Sequence, residues 1–147
     1  MGTGRSTAVI FAMVAALAFP LAVEAQSKPA PSEIDLKVAY CLGALDTTLK
    51  DIEPKEAEYE RAAAEPNAPP IAKAFVEMTR TIRSNRERVR AYVAARSLQV
   101  DLVLIALALK QGENDTIQYS NNTLAGPARQ EVSKRTEACI DLSWMPF

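Results

Sequence analysis

Arginines stand at positions 80, 83, 86, 88, 90 and 96, and Glu87 is the only acid between Arg80 and Arg96. On a helix Arg83, Arg86 and Arg90 share one side, and Arg80 lies a turn earlier. Such a ridge has the chemistry to hold an anionic partner: a lipid headgroup, a polyanion or an acidic protein face. The competing reading is a solvated helix face neutralised by the acidic residues of 53–65, folded back beside it.

Two carboxylate groupings invite other chemistry. Glu56 and Glu60, four residues apart with Glu58 between them, suit a cation or a general acid–base role, or else a plain hydrated face. Asp101 is the single acid in the apolar run 100–109. Buried there, its pKa would rise and mark a functional group; at a helix break it would serve instead as a cap. The chain has no histidine, which removes Ser–His and Cys–His nucleophile pairs and any His-ligated metal. It has five glycines and no phosphate-cradling loop motif. These absences predict a protein that is not an enzyme and carries no cofactor or metal.

Cys41 and Cys139 are the only cysteines, 98 positions apart and with no C-x-x-C spacing. Their chemistry depends on compartment, and the N-terminus speaks to that. Arg5 provides a positive start, 8–19 is apolar, Pro20 interrupts, and Val23-Glu24-Ala25 offers small residues to a signal peptidase. Residues 1–25 are therefore read as a signal peptide, with an uncleaved anchor as the alternative: 7–23 just reaches the roughly 17–25 residues of a membrane span. Export, to a periplasm or the exterior, predicts a Cys41–Cys139 disulfide.

Around these residues the pattern is helical, with no sustained period-two stretch. A flexible leader, 26–31, precedes one domain over 32–147. Ser32 reads as an N-cap with Glu33 and Asp35 in the first turn. A first helix is expected over 33–52, ended by Pro54, with its apolar stripe through Ile34, Val38, Cys41, Leu45, Leu49 and Ile52. Gly43, within it, suggests close approach of a neighbouring helix. Residues 55–64 predict at most a short exposed turn.

After a proline-rich connection, 71–110 holds no proline or glycine, and near-heptad spacing is interrupted by Asn85 and Arg96. A single helix that long would extend about 60 Å, against a radius of gyration near 14 Å for a compact domain of this size. A kink or break at 97–101 resolves the conflict. Residues 100–109, apolar nearly all round, are expected to be the buried central helix. Gly112 is read as a C-cap, 111–125 as a loop, and 127–142 as the last helix, with Cys139 on its inner stripe. The apolar tail Ser143-Trp144-Met145-Pro146-Phe147 is expected to pack over the bundle end.

The fold expected is all-α: a small bundle of three to five helices, one of them long or kinked, with a single disulfide joining the first and last. A net charge of −1 argues against nucleic acid, and removing Arg5 and Glu24 with the signal peptide does not change it. The function expected is binding of another macromolecule, with the ridge Arg80, Arg83, Arg86 and Arg90 as candidate surface. A carrier of small apolar ligands and a binder of anionic membrane surfaces are the alternatives.

Overall fold

The structure, a computed structural model, describes residues 28–146; the signal-peptide reading of 1–25 lies outside them. Among the described residues there are four α-helices and no strands: α1 Glu33–Ala63, α2 Pro70–Ser97, α3 Leu102–Ser120 and α4 Gly126–Ile140. A 3₁₀ turn follows at Leu142–Trp144.

Pairings along the helices give their directions. Asp35 meets Arg96, Asp46 meets Arg86 and Tyr59 stacks on Phe75, so α2 runs antiparallel to α1. Tyr40 meets Asp115 and Asp51 meets Ser120, so α3 runs parallel to α1. Asp115 meets Arg135 and Tyr119 meets Arg129, which returns α4 antiparallel to α3. The disulfide Cys41–Cys139 ties α1 to α4, with both cysteines in the core. An up-down-up-down bundle follows, as expected of short connections.

The central helix is α1. Every residue of 38–45 is buried, enclosed by α2, α3 and α4. The expectation that 100–109 would be central is corrected: only Ile105 within α3's first two turns is buried. Both segments are apolar nearly all round, and only α1 acquires neighbours on all sides.

Two small residues set the α1–α3 approach. A Cβ on Gly43 would overlap the Leu109 carbonyl oxygen, and one on Gly112 would overlap the Tyr40 carbonyl oxygen. Gly112 is thus a contact point in mid-helix and not a C-cap. It belongs to an inward row of α3 through Ile105, Leu109, Gly112 and Thr116, with steps of four, three and four. That row holds the polar sequence 111–120 helical where its own propensities favour a loop.

Helix α1 also outruns its expected end. Pro54 lies inside it, and both Pro54 and Lys50, whose carbonyl would accept from a residue 54 N–H in an unbroken helix, are exposed residues. No residue of α1 beyond Ile52 is buried, and there its partner is α2, through the Tyr59–Phe75 stack with ring centroids 4.0 Å apart. The break expected at 97–101 is present. Its cause is Asp101, the N-cap of α3, whose carboxylate accepts from the Val103 N–H at 2.8 Å.

Candidate binding surface

The ridge arginines line the outer side of α2, facing the acids of α1. The Arg83 guanidinium donates to Glu56. Arg86 pairs with Asp46 at 2.6 Å and with Glu87 at 2.7 Å, and Arg90 lies 3.9 Å from Glu87. Arg80 lines a groove of about 120 Å³ with Glu56 and Glu60. Neighbouring carboxylates raise the Arg83 and Arg86 pKa values further, so both stay cationic. The fold pairs Arg83 and Arg86 with acids of α1, whereas Arg90 reaches only Glu87 of its own helix, and part of the positive field is spent internally. Glu56 belongs to the same arrangement, and no group of three or more potential metal ligands forms among the described residues.

The most deeply placed charge was not singled out from sequence. Asp35 is fully buried, and Arg96 grips it bidentately at 2.7 and 2.9 Å. Tyr92 donates to the same carboxylate at 3.0 Å, and the Ser32 N–H and hydroxyl donate at 2.8 Å each. Led by the Arg96 contact, these donors hold the Asp35 carboxyl well below the usual carboxylate range, against the opposing effect of burial. Asp35 closes a capping box with Ser32 and locks α2 to the start of α1. With every lone pair engaged, its role is structural. Asn85 acts similarly: buried, it donates to the Ile140 carbonyl at 2.6 Å and finishes the C-terminus of α4.

Trp144 and Met145 pack as expected of the tail, and Phe147 lies outside the described residues. Trp144 donates its indole N–H to the Ala138 carbonyl at 2.7 Å, Lys37 lies 3.9 Å from its ring centroid, and Met145 is buried. Beside it, a cleft of about 350 Å³ opens between α1, α3 and α4, lined by Leu36, Lys37, Tyr40, Cys41, Gln111 and Arg135. The Tyr40 hydroxyl donates to Asp115 at 3.1 Å, with Arg135 3.6 Å from the same carboxylate. Burial, and next the charge of Asp115, push the Tyr40 pKa up, so the phenol stays protonated.

The surface that stands out is apolar and carries no catalytic group. At the α2–α3 corner Leu98 is 78% exposed, Val103 66%, Leu107 62% and Leu102 51%, with Leu104 also exposed. Large aliphatic side chains clustered this openly mark contact surfaces more often than they merely decorate a fold. The sequence signal was the apolar run itself, read as core because hydropathy does not say whether a neighbour arrives. Comparison with protein-family models, curated proteins and solved structures finds no match for this chain.

Proposed function

We propose that this is an exported, non-enzymatic helical module that works by binding, and that its contact surface is the apolar corner Leu98, Leu102, Val103 and Leu107. The observation that carries this reading is the open exposure of four large aliphatic side chains on a bundle whose own core is already closed. The arginine ridge is the weaker candidate, because Arg83 and Arg86 already hold carboxylates of α1. Export rests on the character of 1–25. The Cys41–Cys139 disulfide fits an oxidising compartment, and no described helix is long and apolar enough to cross a membrane.

A photo-crosslinking residue placed at 107, and for comparison at 90, in the exporting host tests this. Adducts are expected at 107 and not at 90. Adducts at neither position, or substrate turnover abolished by Asp101→Asn or by Glu56→Gln with Glu60→Gln, would overturn it. The cleft beside Tyr40 supports a second reading, a small-molecule carrier, since its volume falls at the lower end of ligand pockets. Native mass spectrometry would then find a co-purifying ligand that Arg135→Ala releases.

A further inference from the structure

Resting on the carrier reading of the cleft beside Tyr40, we infer that this cleft binds a small amphipathic carboxylate. Lys37 and Arg135 meet its anionic end, and Leu36 and the Tyr40 ring meet its apolar body.

The walls of the cleft are fixed by the fold itself. The Cys41–Cys139 disulfide pins α4 to α1, with the two Cα atoms 5.1 Å apart. Gly43 and Gly112 bring α3 against α1 backbone to backbone. The floor between them is formed by Leu36, Tyr40 and Cys41, of which Tyr40 and Cys41 are buried. A concavity of about 350 Å³ over such a floor admits a small ligand, whereas a flat protein surface would stop at its rim.

Charge then selects the ligand. Two cations, Lys37 and Arg135, line the cleft, and Glu33 is the one acid that does so among the described residues. Glu33 stands four residues before Lys37, a spacing at which the two ordinarily pair on a helix. Here the Lys37 ammonium lies 3.9 Å from the centroid of the Trp144 ring instead, and no described carboxylate is within ion-pair distance of it. Arg135 is committed only in part. Its Nε donates to Glu131 at 3.2 Å, while its Nη1 stays 3.6 Å from Asp115, beyond hydrogen-bond distance. Asp115 is in turn engaged by the Tyr40 hydroxyl at 3.1 Å. The Gln111 side-chain amide, on the α3 wall, makes no hydrogen bond to a described residue. One free cation, one shared cation and a free amide suit a single negative charge. A phosphate monoester, with its nearly double charge, would be under-neutralised. A cationic ligand would find only Glu33, with Lys37 beside it.

The test uses the protein purified from the exporting host. Trp144 is the only tryptophan, and it touches the cleft through Lys37, so its emission reports occupancy. Octanoate, octanol and octylamine are titrated at neutral pH. Octanoate should shift the emission saturably, octanol should bind about fivefold more weakly or worse, and octylamine should not saturate. Lys37→Gln and Arg135→Gln should each weaken octanoate about fivefold and leave octanol unchanged. If either variant unfolds, Gln111→Glu replaces it: the residue is exposed, and an added acid should weaken octanoate likewise. Octanoate that binds no better than octanol, or that the variants leave untouched, overturns the carboxylate and leaves the carrier reading standing. Preference for octylamine does the same, as does a co-purified ligand without a carboxylate in native mass spectrometry. If no probe binds and no ligand co-purifies, the carrier reading falls as well.

Discussion

Two arginines of α2 show how much burial matters for an ion pair. Arg96 holds a fully buried Asp35, whereas Arg83 holds Glu56 from a side chain that is more than half exposed. Arg96→Gln should be the costlier change, because it removes the bidentate partner of a carboxylate with no side-chain exposure. Arg83→Gln should cost less than about 1 kcal/mol. Urea denaturation of the two variants checks the contrast, and equal costs would refute the burial argument. The same site predicts acid sensitivity. Because the folded-state pKa of Asp35 is depressed, its contribution is fully present above the unfolded value near 4 and fades as pH falls below it towards the lower folded value. The urea midpoint should therefore fall between about pH 5 and pH 2 in the native chain, and fall less steeply in Asp35→Asn. Ser32 and Asp35 were legible as a helix start. That Arg96 would complete the site was not, because the partner lies 61 residues away and only antiparallel packing of α2 brings it there.

Among the elements, α1 and α3 were misread in complementary ways. Pro54 suggested an end to α1, yet the cost of a proline is local and can be met on a face open to water. Residues 100–109 suggested a buried helix, yet the row that packs, through Ile105, Leu109, Gly112 and Thr116, leaves most of that apolar surface outside. The sequence 38–45 was equally apolar and proved to be the enclosed segment. Gly43 was read correctly as a point of close approach; its counterpart Gly112 was mistaken for a cap, since the two roles look alike before a partner helix is in place. Gly112→Ala should destabilise by about 1–3 kcal/mol through overpacking against the Tyr40 carbonyl, although alanine is the better helix former by about 1 kcal/mol. Thermal unfolding decides between the two effects: a rise in midpoint would mean that the helices separate freely and the contact is not tight.

The whole molecule is closed by one covalent link across 98 residues, from the enclosed α1 to the last helix. Cys139→Ser should lower stability by up to about 4–5 kcal/mol, the chain-entropy value for so long a loop. Intact mass should rise by about two hydrogens on reduction. No mass change on reduction would refute the bridge in the isolated protein. By itself the sequence determined that the chain folds as helices, that α1 begins at Ser32, that the chain breaks near Asp101, and that both cysteines face inward. Each of these is written in local spacing and capping chemistry, which operate within a few residues. Only the tertiary structure decided which apolar segment is enclosed, which arginine pairs with a buried carboxylate, and which hydrophobic corner stays open. Those outcomes depend on which helix lies beside which, and long-range packing selects among apolar segments that are locally equivalent.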